Sequence, residues 1–145
     1  MAIVADSGGI YGLYDRRDSA HASLREVVEH ERDQIVIPCA ALGEIDYLLR
    51  ARLGAPALFQ FLADIQEGAF RVEALCTEDL RRCASVLKKY EDLDLGLCDA
   101  AVVAVAERLG TNRILTVDER DFRAIRPSHS RSFRLLPADR RDQAP

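Results

Sequence analysis

The sequence lacks the features that mark membrane proteins and domains stabilised by zinc or disulfides. No apolar run approaches the roughly 20 residues that a membrane-spanning helix needs. None of the four cysteines form a CxxC pair, and the three histidines lie elsewhere, which argues against structural zinc and a disulfide framework. The opening residues MAIVADSGG carry no basic stretch, so we expect a first strand there and not a signal peptide. We therefore expect buried free thiols and a cytoplasmic protein.

Lysine is scarce, because Lys88 and Lys89 are the only two and every other basic side chain is arginine. The net charge of −4 does not by itself indicate a nucleic-acid-binding protein. The charge is uneven, however, since eight arginines lie between Arg113 and Arg141 against four acids from Asp118 to Asp139. The C-terminal part is thus locally basic and rich in the side chain that binds phosphate with two hydrogen bonds.

A chain of 145 residues with 48% hydrophobic and 30% charged residues has the composition of one globular domain. Apolar runs typical of strands alternate with helical patterns, which predicts an α/β fold. We expect a mostly parallel central sheet of about 4–5 strands flanked by helices on both faces. The predicted strands are Ala2 to Ala5, Gln34 to Ile37, Phe70 to Leu75, Ile114 to Val117 and, at an edge, Ser132 to Leu136. We predict a single domain over residues 1–136 and a frayed tail over residues 137–145.

Two helical segments matter for the interpretation. The segment that begins near Asp99 is apolar almost all round (AAVVAVA), which predicts a central, buried helix that ends at Gly110. A second helix should begin after Thr77, which we predict as its N-cap. Its predicted buried stripe consists of Leu80, Cys83, Ala84 and Leu87.

Acidic residues fall where these elements begin or end. Asp6 ends the first strand, Asp118 follows the fourth, Asp99 opens the buried helix, and Glu44 lies early in the helix after the second strand. Functional groups collect at the carboxyl ends of parallel strands, where the following helices also begin. We therefore expect these four acids to meet at one edge of the sheet.

Four carboxylates in one cleft repel each other, and burial makes this worse. A divalent cation is the usual remedy. Oxygen ligands without a convergent histidine or cysteine favour Mg²⁺ or Mn²⁺ over zinc. We predict Asp6, Asp99 and Asp118 as the metal ligands. Such a site suits the attack of metal-activated water on a phosphodiester.

Each of these residues also has an ordinary structural role available. Asp6 could form a turn, Asp99 and Asp118 could cap helices, and Glu44 could be a solvated charge. Asp121 could complement the dipole of a short helix as easily as bind metal. Two hydroxyl residues that flank acids could orient a carboxylate or water, or bond the local backbone: Ser7 and Thr116.

Four segments together resemble the PIN domain, and specifically the VapC-type toxins of bacterial toxin–antitoxin pairs. They are IVADS with Asp6, GEIDYLL with Glu44, CDAAVVAVAERLG with Asp99, and ILTVDERDF with Asp118 and Asp121. The resemblance covers Ala2 to about Leu136. One departure is that two glycines follow Ser7 where the family has a small polar residue after the hydroxyl, and we expect them to loosen the helix start.

The resemblance implies a Mg²⁺- or Mn²⁺-dependent endoribonuclease toxin that leaves 3′-hydroxyl and 5′-phosphate ends. Its acidic set would be Asp6, Glu44, Asp99 and Asp118, with Asp121, Ser7 and Thr116 in support. It further implies a homodimer that a VapB-type antitoxin neutralises. The apolar residues around Phe59 and Phe61 would then be either a partner surface or core. We also expect RNA-phosphate contacts among the C-terminal arginines, with Arg120, Arg123 and Arg126 as candidates.

Two other classes of protein compete with this interpretation. A phosphate-transfer α/β protein, either a receiver domain or a phosphatase, also needs an Asp at a strand end and Mg²⁺. The phosphatase pattern requires a second Asp at the position of Gly8, and both patterns require a lysine after a later strand, which the chain lacks. In the third class, a non-catalytic binding module, the acids would serve only as caps.

Overall fold

A computed structural model describes residues 1–143, with the side chains of residues 1–140. Its centre is a five-stranded sheet in the order β3-β2-β1-β4-β5, in which every neighbouring pair is parallel. The strands are β1 (Ala2–Ala5), β2 (Gln34–Pro38), β3 (Phe70–Glu73), β4 (Arg113–Leu115) and β5 (Arg134–Leu136). The predicted fold class is confirmed, including the edge position of the last strand.

Helices cover both faces of the sheet. The α-helices of the described residues are α1 (Ser7–Tyr14), α2 (His21–His30), α3 (Leu42–Leu53), α4 (Ala55–Gln66), α5 (Thr77–Lys89), α6 (Leu97–Leu109) and α7 (Glu119–Ala124). Alternation along β1 divides the core, since Ile3 and Ala5 face the cluster with α1 to α4 whereas Val4 faces the cluster with α5 to α7. Helix α6 is buried from Ala100 to Ala106, as predicted. No helix among the described residues is long and apolar enough to cross a membrane.

Several predicted boundaries differ from the structure. Strand β4 ends at Leu115 and not at Val117, because the Thr116 hydroxyl accepts a hydrogen bond from the Asp118 backbone N–H and turns the chain. The helix predicted from Cys39 begins with a 3₁₀ turn, Cys39–Ala41, before α3. The expectation of buried thiols is wrong for Cys39 and Cys76, which are exposed.

The predicted start and buried stripe of α5 are also wrong in part. The N-cap is Cys76 and not Thr77, since the Cys76 backbone N–H donates to the Asp79 carboxylate at 3.0 Å. Asp79 and Val86 are buried together with Cys83, whereas Leu80 is 47% exposed and Ala84 is exposed. The buried face is shifted because Asp79 points inward to Arg108 of α6.

The end of the chain is more ordered than the frayed tail expected from the sequence. A 3₁₀ helix spans Ala138–Gln143. The Asp139 carboxylate accepts from the Leu135 backbone N–H at 2.8 Å and pairs with Arg123, and Arg140 pairs with Glu26 at 3.3 Å. These contacts fasten residues 138–140 to the domain. Residues 144 and 145 of the predicted tail lie outside the described residues.

Candidate active site

Asp6 lies at the carboxyl end of β1 and caps α1. One carboxylate oxygen, Oδ1, accepts the Gly9 backbone N–H at 2.7 Å, and the other, Oδ2, accepts the Thr116 hydroxyl in a short hydrogen bond. The Asp6 side chain is 5% exposed. Its orientation is thus fixed from two sides, and both fixing contacts come from groups at the same edge of the sheet.

Gly9 was missed as a site residue by sequence reasoning, which expected only that the two glycines loosen the helix start. Helix α1 begins at Ser7, and its first turns pack directly against the β4 backbone. A Cβ atom at Gly9 would stand 2.9 Å from the Leu115 carbonyl carbon and closer still to its oxygen. Gly9 therefore permits the close approach that lets its N–H bind Asp6.

Thr116 connects Asp6 with Asp118. Its hydroxyl donates to Asp6 and accepts the Asp118 backbone N–H at 2.9 Å. Asp118 in turn caps α7, where its Oδ1 accepts the Asp121 backbone N–H at 3.3 Å. The adjacent strands β1 and β4, with Ala5 opposite Leu115, place these residues side by side.

Glu44 reaches the same edge from α3. The Ser7 hydroxyl donates to its Oε1 at 2.8 Å, although the two residues are 37 positions apart. Glu44 is exposed, whereas Ser7 is buried. The Ser7 hydroxyl therefore orients the Glu44 carboxylate, and its supporting role in the site stays a prediction.

Asp99 lies in the first turn of α6. Its Oδ2 accepts the Gly96 backbone N–H at 3.1 Å, so Asp99 also closes the helix start. The side chain is half-buried. The alternative that Asp99 is the N-cap is wrong, because the N-cap is Gly96 and Asp99 is the third residue of the helix. Its place in the acidic set stays a prediction.

The pKa values show that the acids interact. The pKa of Asp6 is raised to about 7, first by burial and also by the charges of Asp99 and Asp118, against the hydrogen bonds from Thr116 and Gly9. Burial raises the pKa of Asp99 too, and the charges of Asp118, Asp121 and Glu44 add to this. All four predicted acids therefore belong to one electrostatic cluster, and Asp121 stands at its border.

Two further titratable side chains lie beside the acids, Asp121 and Cys98. Burial and the neighbouring Asp118 raise the pKa of Asp121. Burial raises the pKa of the Cys98 thiol to about 12, with a further contribution from Glu44. A thiol of this kind stays protonated at neutral pH and is no nucleophile.

The donor set fits a hard divalent cation. The carboxylates offer oxygen, and their mutual repulsion is the kind that a bound cation relieves. Within the described residues no group of three or more His, Cys, Asp or Glu side chains is arranged so that it could hold an ion by itself. Mg²⁺ typically uses only one or two carboxylates and retains waters.

The C-terminal arginines differ in their availability. Arg123 forms ion pairs with Glu119 at 2.8 Å and with Asp139 at 2.7 Å, and Arg113 is held by Glu31 and Asp33. Arg126 contacts the Arg131 carbonyl at 3.4 Å. Arg120 is exposed, and its charge acts on Asp121. Of the three predicted phosphate contacts, Arg120 is thus exposed beside an acid, whereas Arg123 is already paired.

Comparison with known proteins identifies the family. The profile of the PIN domain matches residues 3–126. The chain belongs to the PIN-domain family. This PIN domain is 30% identical over 135 residues to Ribonuclease VapC26 of Mycobacterium tuberculosis, a match that covers 93% of the chain and 100% of that relative.

Solved structures share the fold of this PIN domain. VapC20 of Mycobacterium tuberculosis, described as a sarcin–ricin loop cleaving toxin, matches with a TM-score of 0.78 and 22% identity over 89% of this chain and 98% of that one. VapBC2 from Rickettsia felis, bound to a promoter DNA fragment, matches with a TM-score of 0.66 and 13% identity over 93% and 97%. A toxin–antitoxin complex from Klebsiella pneumoniae matches with a TM-score of 0.65 and 17% identity over 85% and 92%.

Proposed function

We propose that this PIN domain is a VapC-type ribonuclease toxin that hydrolyses RNA phosphodiester bonds with the help of Mg²⁺ or Mn²⁺. The observation that carries the proposal is the set of carboxylates that four separate elements bring to one sheet edge, with Asp6 and Asp118 joined through Thr116. Its relative VapC26 is named a ribonuclease. Because the substrate is cellular RNA, we place the activity in the cytoplasm.

Asp6, Asp99 and Asp118 are the residues that we propose to hold the metal. A bound divalent ion would activate water and neutralise charge on the scissile phosphate. Asp6 contributes a carboxylate whose direction is fixed by two hydrogen bonds. Asp99 contributes the oxygen that does not cap α6.

Glu44 is the proposed proton acceptor, because it is exposed at the cleft and oriented by the Ser7 hydroxyl. The water oxygen forms a bond to phosphorus while the bond from phosphorus to the 3′ oxygen breaks. The water proton passes to the carboxylate and a proton returns to the leaving 3′ oxygen. The products are a 3′-hydroxyl and a 5′-phosphate.

The test is cleavage of RNA by the purified protein. We expect EDTA to stop cleavage and added Mn²⁺ or Mg²⁺ to restore it, and end mapping to give 3′-hydroxyl and 5′-phosphate products. Activity that survives EDTA would contradict the metal-dependent mechanism.

Asp99→Asn is the sharpest variant for the acidic set. It keeps an oxygen for the Gly96 N–H, so the helix start remains capped, but it removes the charge. We expect at least about a hundredfold loss of cleavage with unchanged circular dichroism. Asp92→Asn, an exposed acid just upstream, is the matched control and should retain full activity. Equal activity of the two variants would rule out Asp99.

We also propose two protein partners, a second copy of the chain and a VapB-type antitoxin. Helices α3 and α4 expose large apolar side chains that a single copy leaves uncovered: Tyr47 is 67%, Phe59 66% and Leu62 43% exposed. Phe61, in contrast, is core at 1% exposure.

Arg120 and Arg126 remain proposed RNA contacts, and an RNA affinity that does not vary with salt concentration would argue against them.

A further inference from the structure

A basic pocket lies at the far ends of α1 and α3 from the acids. It has a volume of about 480 Å³. Its lining residues are Tyr11, Tyr14, Asp15, Arg16, Arg17, Arg52 and Leu53. A smaller pocket of about 330 Å³ shares Tyr14 and Arg16 with it and carries both charges, since it adds Asp64 and also Arg25, which pairs with Glu29 at 3.0 Å.

The three arginines of the larger pocket form no ion pair among the described side chains. The guanidinium groups of Arg82, Arg108 and Arg113, in contrast, are all paired. One acid lines the pocket, Asp15, which accepts the Tyr11 hydroxyl and the Arg17 backbone N–H at 2.9 Å and is also acted on by the charge of Arg17. Three arginines against one aspartate leave the pocket with an excess of positive charge on a chain whose net charge is −4.

Arg52 is held ready to bind. Its guanidinium stacks over the Tyr11 ring, 5.1 Å from the ring centroid. The stack restricts the Arg52 side chain, so the side chain loses less rotamer entropy when its guanidinium binds a phosphate. Tyr11 itself is fixed, since it is 5% exposed.

The pocket and the acidic cleft share the same two helices. Asp6 and Glu44 lie at the beginnings of α1 and α3, and Tyr14 and Arg52 lie eight residues further along each helix. Eight residues of helix rise about 12 Å. A single RNA strand with its scissile phosphate at the acids would thus bring phosphates only a few nucleotides away to the arginines.

We propose that the pocket formed by Arg16, Arg17 and Arg52 binds backbone phosphates of the single-stranded RNA substrate next to the cleavage site. This inference rests on the proposed ribonuclease function. The acidic cleft repels a polyanion, so a cationic site nearby is needed to hold the RNA against that repulsion. The contact between α1 and α3 carries the Ser7–Glu44 hydrogen bond at the end near the acids and the Arg52–Tyr11 stack at the pocket, and for that reason we assign the pocket to RNA.

The test is binding of a fluorescein-labelled single-stranded 12-nucleotide RNA in EDTA, where cleavage is suppressed. Arg16→Gln/Arg17→Gln and Arg52→Gln are the variants. Arg50→Gln is the matched control, because Arg50 lies on the same helix but is paired with Asp46 at 2.7 Å. We expect at least about a tenfold weaker affinity for the double variant, a salt slope lower by about 0.7 for each lost contact, and no change for the control.

The outcomes separate this site from the nuclease proposal. In one outcome the wild-type protein cleaves RNA with Mn²⁺ and yet binds the probe no better than the Arg16→Gln/Arg17→Gln variant does. That result would refute RNA binding at the pocket and leave the nuclease proposal intact. In another outcome the double variant loses affinity for the RNA, but the wild-type protein never cleaves it. That outcome would support RNA binding at the pocket and refute the proposed nuclease activity. Unchanged RNA affinity with lost affinity for a poly-glutamate peptide would make the pocket a protein-docking surface and refute the inference. If Arg52→Gln unfolds, the double variant in the exposed α1–α2 turn decides.

Discussion

At the scale of single residues, the site depends on Thr116 as much as on any acid. One hydroxyl donates to Asp6 and accepts the Asp118 backbone N–H, so it sets the position of two acids that are 112 residues apart in sequence. Groups that orient metal ligands commonly change metal affinity or activity 10–100-fold when they are removed. Thr116 is therefore the best residue with which to separate orientation from coordination.

We expect Thr116→Val to raise the Mn²⁺ concentration needed for half-maximal cleavage by about 10–100-fold. The loss of the buried hydroxyl should also lower the free energy of unfolding by about 1–3 kcal/mol. Thr116→Ser keeps the hydroxyl and should remain close to wild type in the metal titration. A valine variant that matched the serine variant in that titration would show that the Asp6 orientation does not matter.

Alanine substitutions at two neighbouring glycines should affect the free energy of unfolding differently. A Cβ atom at Gly9 would overlap the Leu115 backbone carbonyl, which cannot move aside, so Gly9→Ala should lower the free energy of unfolding by about 1–3 kcal/mol. A Cβ atom at Gly8 would stand 3.2 Å from Val117 Cγ2, the end of an exposed side chain. Gly8→Ala should therefore be neutral or slightly stabilising within a helix. Urea denaturation compares the two, and equal losses would contradict the packing explanation.

The positions of the acids could be predicted from sequence, whereas their connections could not. Asp6 and Asp118 follow recognisable strands, and parallel strands end at a common edge. Two features of the site depend on how closely α1 approaches β4 and α3. They are the requirement for glycine at position 9 and the hydrogen bond between Ser7 and Glu44. No local pattern encodes such distances, because they result from the packing of elements far apart in sequence.

At the scale of elements, the end of α6 opposite the acidic edge is fixed by Arg108. Its guanidinium donates to Asp79 of α5 at 3.0 Å, to Glu73 of β3 at 2.9 Å and to the Ala74 carbonyl at 3.1 Å. Asp79 is 4% exposed and also closes the start of α5. These contacts hold the buried helix that carries Asp99 against its neighbours, so we expect them to matter for stability and not for chemistry.

The same contacts explain why the sequence interpretation of α5 was wrong by one position. Leu80 was predicted in the buried stripe, which is the usual preference of a large apolar side chain. The ion pair with Arg108 turns Asp79 inward and leaves Leu80 outside. A long-range partner thus overrides hydrophobic periodicity, and the partner cannot be identified from the helix alone.

We expect Asp79→Asn to lower the free energy of unfolding at pH 7 by about 1–3 kcal/mol. Burial raises the pKa of Asp79, but the hydrogen bonds from Arg108 and Cys76 outweigh burial and hold the pKa below its ordinary value. The folded state then binds the proton less tightly than the unfolded state. The stability from Asp79 is therefore present above an ordinary aspartate pKa and is lost as the pH falls below it.

Urea unfolding as a function of pH checks this prediction. The difference between wild type and Asp79→Asn should be largest near pH 7 and should shrink below about pH 4. Glu78→Gln is the matched control, since Glu78 precedes Asp79 but pairs only with the exposed Arg81 and should change little. A difference that stays constant down to pH 2 would show that the charge of Asp79 is not the cause.

At the scale of the whole molecule, the sheet order makes the site possible. Because β1 lies between β2 and β4, residues near the two ends of the chain become neighbours at the carboxyl edge. The alternation of strands and helices predicted a parallel sheet, but it did not predict the order β3-β2-β1-β4-β5. The same pattern of elements is compatible with several strand orders, because the pairing of strands depends on contacts between segments far apart in sequence.

The exposed apolar side chains of α3 and α4 lead to a prediction about assembly. Large apolar side chains are exposed on these two helices, namely Tyr47, Phe59 and Leu62, and exposed apolar patches commonly mark interaction sites. Aromatic anchors contribute much of the binding energy of protein interfaces. We expect Phe59→Glu to weaken binding of a candidate antitoxin encoded beside the gene by about 2 kcal/mol or more. RNA cleavage should remain, because Phe59 is not part of the acidic cleft, so the variant should resist neutralisation.

Leu80→Glu provides the matched control for this prediction. Leu80 is 47% exposed, comparable to Leu62, but it lies on α5 against the opposite face of the sheet. Titration of each variant with the antitoxin, followed by cleavage of RNA, measures binding and activity in one assay. If Leu80→Glu impairs neutralisation as much as Phe59→Glu, the effect comes from added charge in general. If neither variant impairs it, the antitoxin does not cover α4, and a second copy of the chain becomes the occupant to test by light scattering at increasing protein concentration.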